Sequence, residues 1–178
     1  MQHASQLQDV YLQPGDYHFG DRRTRIRTIL GSCVAITMWH PGLRIGGMCH
    51  FMLPARAKGE GGILDGRFAD DALALFLQDI RRAGTRPEEY EVKLFGGGNM
   101  FPGQIPGRTR HIGAQNGETA RRLVRENGFS CRVENLGGVG HRNLRFEVQS
   151  GDVWVRHTRP ASVAANCVNC RVRCECAV

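Results

Sequence analysis

Two residues in the first third of the chain are of a reactive kind where the pattern asks for inert ones. Cys33 follows the turn Leu30-Gly31-Ser32 and opens an apolar run, and His50 sits inside a second apolar run, GGMCHFMLP, beyond a Pro41-Gly42 turn. A cysteine attacks as the thiolate, so it needs a base or a positive charge close by. Imidazole titrates near neutrality and is the natural base. A Gly-Ser step directly before the cysteine suits backbone N–H groups aimed at a developing oxyanion, which makes Gly31 and Ser32 the candidates for that task. Thr28 is the candidate to orient the imidazole, although a β-branched residue in a strand is equally explained by propensity. The plainer alternatives are that Cys33 is a small buried hydrophobe and His50 a hydrogen-bonded core histidine. His40 and Cys49 compete for the same roles. His40, beside Pro41, reads as surface, and Cys49 should face away from His50 if the strand is regular.

The elements that must position these residues are readable from periodicity. Ile26, Thr28 and Leu30 alternate with Arg25 and Arg27, giving a strand over 24–30; residues 33–39 and 45–53 read as buried strands, and 10–12 as a short extended segment. Ala69, Ala72, Leu73, Phe76 and Ile80 recur at helical steps, and Gly84 closes that helix. Tyr90 to Phe95 alternates as a strand. A second helix is expected from Asn116, as its N-cap, to Asn127, with Gly128 past its end. Residues 129–133 read as a strand, and Leu144, Phe146 and Val148 followed by a Ser150-Gly151-Asp152 turn and Val153-Trp154-Val155 as a hairpin. Two helices among about eight strands imply a single α+β domain.

Composition bounds the function. At 178 residues the chain is long enough for one well-filled core, and 41% hydrophobic with 23% charged residues fits a soluble globular protein. A net charge of +7 can mean nucleic acid, an anionic surface or an acidic protein partner; only 7% aromatics and no basic helix stripe make nucleic acid the weak reading, and an acidic protein partner fits as well. The first residues lack an apolar leader and no run approaches a membrane span, so a cytosolic location without membrane insertion is expected. Seven cysteines, an odd number, argue for thiols or a metal site rather than a disulfide framework. Four of them, Cys167, Cys170, Cys174 and Cys176, crowd the end of the chain. They could supply a tetrahedral zinc or other soft-metal site, or belong to a disordered, oxidisable tail. Gly96-Gly97-Gly98-Asn99 lacks the Lys-Ser/Thr of a phosphate loop and reads as a tight turn after a strand.

The stretches LGSCVAI and GGMCHFMLP, with histidine seventeen residues after cysteine, resemble the CheD family of chemoreceptor glutamine deamidases. FGGGNMF at 95–101, HIGAQN at 111–116 and LGGVGHR before the last hairpin match as well, so the resemblance spans roughly residues 9–157. It implies a three-layer α/β/β sandwich, related in site geometry to bacterial toxin deamidases, occupying residues 1–159 ahead of a Cys-rich tail at 160–178. It also implies hydrolysis of side-chain amides on specific glutamines of methyl-accepting chemotaxis receptors, by a cysteine–histidine–threonine site with no cofactor and no active-site metal. Cys33 and His50 match that site; Thr28 fits the threonine, while a shift of one residue would bring Arg27 there instead. Gly97, Gly98, Asn99, Met100 and Phe101 become the wall of a substrate groove. An amine in place of water would make the same thioester chemistry transglutamination, and an ester in place of the amide would make it a methylesterase; both stay open. Expected partners are receptor cytoplasmic domains and a CheC-type phosphatase. The competing readings are a non-catalytic adaptor for those partners and a thiol or metal sensor built on the tail.

Overall fold

In the computed structural model, which describes residues 7–56, 62–100 and 110–159, nine strands and two α-helices follow one another, with one 3-10 turn at Pro87–Glu89. They are β1 (Gln8–Tyr11), β2 (Tyr17–Gly20), β3 (Thr24–Leu30), β4 (Val34–His40), β5 (Ile45–Phe51), α1 (Ala69–Arg82), β6 (Glu91–Gly96), α2 (Arg110–Glu126), β7 (Ser130–Leu136), β8 (His141–Glu147) and β9 (Val153–Thr158). The strands form two mixed sheets, one in the order β1-β3-β8-β9 and the other β2-β5-β4-β6-β7. Each carries one parallel pair, β1 with β3 and β6 with β7.

Alternation along the strands feeds two separate cores. Val34, Ile36 and Met38 of β4, Cys49 and Phe51 of β5, and Val92 and Leu94 of β6 pack with the buried faces of both helices. The intervening residues Ala35, Met48 and Phe95 turn the other way, against Ile26 and Leu30 of β3 and the buried side chains of β8 and β9. The five-stranded sheet thus has helices on one face and the four-stranded sheet on the other, which is why β4 and β5 read as continuous apolar runs. The α1 stripe foreseen from the sequence is the buried one, with Asp70 and Asp71 in the first turn and Arg81 and Arg82 in the last, matching the helix dipole.

Two expectations are corrected. Tyr17–Gly20 forms a ninth strand, paired antiparallel with β5; four residues are too few for alternation to announce them. The second helix begins at Arg110, so Asn116 is no N-cap but lies inside α2, fully buried. The Cys-rich segment 160–178, with the four candidate metal ligands, lies outside the described residues. Among the described residues no three His, Cys, Asp or Glu side chains gather to hold a metal, and no helix is long and apolar enough to cross a membrane.

Candidate active site

The site forms where the two sheets face each other. On β3 the inward positions are Ile26, Thr28 and Leu30; on β5 Met48 and His50 face the same way, and Cys49 turns to the helices, as a regular strand requires. Ala35 of β4 stands directly opposite His50. Cys33, just ahead of β4, packs against the same core as Ala35, on the side of the sheet that His50 faces. The small Ala35 leaves room for the imidazole.

His50 is 2% exposed and Thr28 1%, and Thr28 Oγ1 lies 2.8 Å from His50 Nδ1. The same hydroxyl donates to the Leu12 carbonyl at 2.9 Å. A threonine hydroxyl has one proton, and a carbonyl can only accept. Oγ1 must then accept from Nδ1–H, which leaves the lone pair on Nε2. That atom is buried with no hydrogen-bond partner among the described residues. One strand of the four-stranded sheet therefore sets the tautomer of an imidazole on the other sheet, and Arg27, the alternative to Thr28, points outward. Thr28→Val keeps the shape but removes the acceptor, stranding a buried N–H at a cost of about 1–3 kcal/mol. We expect kcat to fall about tenfold or more, with Thr28→Ser restoring most of it; an unimpaired Thr28→Val enzyme would remove Thr28 from the site.

Burial sets the resting protonation states. Desolvation lowers the His50 pKa to about 4, against smaller opposing effects of the Leu12 carbonyl and the Asp16 carboxylate. Desolvation raises the pKa of the half-buried Cys33, and its own backbone N–H partly offsets this. The resting pair is thus a neutral thiol beside a neutral imidazole. Because His50 titrates in the folded chain below its ordinary 6.5, the unfolded chain takes up that proton first. The stability this ring contributes is complete above pH 6.5 and lost as pH falls toward 4, about 3 kcal/mol in all. In urea melts the wild type should lose that much more stability than His50→Gln between pH 7 and pH 4. Equal losses would mean that the ring is hydrated.

The turn that leads into Cys33 is held by three hydrogen bonds. Gly98 N–H donates to the Gly31 carbonyl and Gly97 N–H to the Cys33 carbonyl, each at 2.8 Å, and Asn116 Nδ2 donates to the Ser32 carbonyl at 3.2 Å. Gly97 has φ +63°, and a Cβ there would come within 2.6 Å of the Gly113 carbonyl, so the FGGGN turn and the first turns of α2 meet backbone to backbone. Asn99 is stitched to the 137–140 turn through Gly138 and Gly140. Met100 covers Gly31, its sulfur 3.0 Å from where a Cβ would sit, and is partly exposed beside the turn. Of the expected groove residues, Gly97 and Gly98 brace the turn before Cys33, Asn99 links two loops, Met100 packs over Gly31, and Phe101 lies outside the described residues. Sequence reasoning missed Asn116 as part of this site; the HIGAQN match was its one signal.

A cavity of about 430 Å³ lies elsewhere among the described residues. It lies on the outer face of the four-stranded sheet, among Tyr11, Arg27, Ile29, Arg145, Trp154 and Arg156. Thr28 contributes only backbone to it, since its hydroxyl is bonded inward.

Residues 52–157 match the family model described as "CheD chemotactic sensory transduction". That match begins just after His50. The "Probable chemoreceptor glutamine deamidase CheD 3" of Dechloromonas aromatica (strain RCB) is 52% identical over 151 residues, 85% of this chain and 88% of its own. The "Probable chemoreceptor glutamine deamidase CheD" of Pseudomonas syringae pv. syringae (strain B728a) is 48% identical over 150 residues, 84% of each chain. The "hypothetical protein YfiH" of Bacillus licheniformis, a crystal structure, aligns with a TM-score of 0.41 at 15% identity, covering 68% of this chain and about half, 51%, of that one.

Proposed function

The chain belongs to the CheD family, a chemoreceptor glutamine deamidase by function, and from that premise we propose that its reaction runs through Cys33, His50 and Thr28. The observation that carries the assignment is the Thr28–His50 hydrogen bond, which leaves an unpartnered Nε2 lone pair on the sheet face that Cys33 shares. The substrate is the side-chain amide of particular glutamines in the cytoplasmic domain of methyl-accepting chemotaxis receptors. The family's three-layer α/β/β arrangement is supported by the two cores on opposite faces of the five-stranded sheet.

The steps follow from the protonation states. As the sulfur adds to the carboxamide carbon, the thiol proton passes to Nε2 and the carbonyl oxygen becomes an oxyanion beside the Cys33 N–H. The tetrahedral adduct collapses; its C–N bond breaks, and the proton on Nε2 leaves with ammonia. Water then attacks the thioester, giving a proton to Nε2, and the C–S bond breaks to release glutamate while the proton returns to sulfur. Protein glutamine and water become protein glutamate and ammonia. Thr28 takes no proton; it keeps Nδ1–H in place so that Nε2 can shuttle one.

The test is mass spectrometry of a receptor cytoplasmic fragment incubated with the full chain, with ammonia measured in parallel. Discrete glutamines should show the amide-to-acid mass shift with matching ammonia. A fragment that binds but is never shifted would replace this reading by the adaptor.

A further inference from the structure

Asn116 links the turn before Cys33 to the chain just after His50. It is fully buried on α2, and its Nδ2 donates to the Ser32 carbonyl at 3.2 Å and the Met52 carbonyl at 2.8 Å. Ser32 immediately precedes the nucleophile and Met52 follows the base by two residues. Both partners are carbonyls, so the amide must present its nitrogen to them.

The Ser32 bond has a directional consequence. A trans peptide is planar, with C=O and N–H pointing in opposite senses, and no cis peptide bond occurs among the described residues. Holding the Ser32 carbonyl toward α2 therefore turns the N–H of the same peptide, that of Cys33, away from α2. That N–H belongs to the residue that carries the sulfur, so a carbonyl under attack by Cys33 would place its oxygen within its reach. The flanking carbonyls of Gly31 and Cys33 are pinned by Gly98 and Gly97. The Ser32–Cys33 peptide is left with Asn116 as the side chain that fixes its rotation. The Gly113 contact to the Gly97 carbonyl sets how closely α2 approaches and so brings Asn116 into range.

We propose that Asn116 is a positioning residue for the oxyanion site, fixing the Ser32–Cys33 peptide so that the Cys33 N–H donates to the tetrahedral intermediate. The proposal rests on Cys33 being the nucleophile. It accounts for a buried asparagine inside a helix, which neither core packing nor capping explains.

Two reactions of the same sulfur separate this role from a merely structural one. Deamidation generates an oxyanion, whereas alkylation by iodoacetamide displaces iodide at carbon and generates none. In Asn116→Ala, and in the near-isosteric Asn116→Asp, which cannot donate to both carbonyls, kcat on the receptor fragment should fall about ten- to a hundredfold, short of the 10²–10³ for deleting an oxyanion donor outright. KM should stay within about twofold, and so should the rate of Cys33 alkylation, read by mass spectrometry of its peptide. A wild-type kcat in both variants overturns the proposal. So does a parallel fall in alkylation and kcat, whether from misfolding or a displaced thiol, if both variants show it. Cys33→Ala is the control: if it still deamidates, the nucleophile assignment has failed, and if it is inactive while the Asn116 variants are not, only the positioning role has.

Discussion

Cys33→Ala should abolish deamidation, lowering kcat by on the order of 10⁵–10⁶, as loss of a triad nucleophile does elsewhere, while leaving receptor binding and the melting temperature close to wild type. The substitution removes one half-buried sulfur at the end of a strand and breaks no backbone bond: the Cys33 carbonyl still accepts from Gly97. The loss is therefore chemical rather than structural. Among the described residues neither other thiol is placed to take over. Cys49 lies on the opposite face of β5, fully buried, with its pKa pushed up to about 12 by desolvation, and Cys131 is on β7, at the far edge of that sheet. Because thiol and imidazole are both neutral at rest, the structure also forecasts how Cys33 should respond to alkylating agents. Cysteine enzymes with a preformed thiolate–imidazolium pair react well below neutrality. Here the rate of Cys33 modification should climb with pH through and beyond the ordinary thiol range, without an acidic plateau. A Cys33→Ala protein that keeps more than about one part in a thousand of its activity would refute the assignment. A plateau in thiolate reactivity below pH 6 would show that substrate-free enzyme already holds the ion pair.

How far such a site can be read before the fold is known depends on which interactions leave a mark on periodicity. The β3 strand does so plainly: its alternation gives both its limits and the inward face of Thr28, because one face meets the core and the other meets solvent. Cys33 and His50 are legible as reactive groups in apolar runs, and a regular strand already puts Cys49 on the other side of β5. The partnership between Thr28 and His50 is less legible, since it crosses from one sheet to the other and depends on Leu12 accepting the threonine proton. The start of α2 is hidden for a different reason. Its first turns carry Gly113, Asn116 and Gly117 on the face that packs inward, all buried, so the helix shows no apolar stripe where it touches the site. Close approach of backbone and a polar link to two carbonyls use that face instead, and composition alone makes such a segment look like a loop. Likewise β2 is short and only half-buried, and it is recognised by the edge of β5 rather than by its own pattern.

His50→Gln should cost roughly 10⁴ in kcat, the upper range for a positioned acid–base group, because the same Nε2 takes the thiol proton, gives it to ammonia and then activates water. Combined with Cys33→Ala it should cost nothing further, since the two act as one unit. Glutamine preserves much of the volume and can still meet Thr28, so its fold serves as the reference. The pH dependence is the sharper measurement. In the free enzyme Nε2 acts only while unprotonated, and burial holds the His50 pKa near 4 rather than 6.5. The acid limb of kcat/KM should therefore fall about tenfold per pH unit below pH 4, with little change between pH 5 and 7; circular dichroism at each pH separates this from the loss of stability over the same range. An acid limb centred near 6.5 would mean that the ring is hydrated in the working enzyme, and the pocket between the sheets would then have to open before catalysis. A limb near 4 that disappears in His50→Gln, where only residual activity remains, ties the base to this ring. The low value also has a consequence for mechanism. A base this weak holds little of the thiol proton at rest, so near neutral pH proton transfer accompanies attack on the amide. A free enzyme so arranged is protected from casual alkylation and oxidation in proportion to how little thiolate it carries.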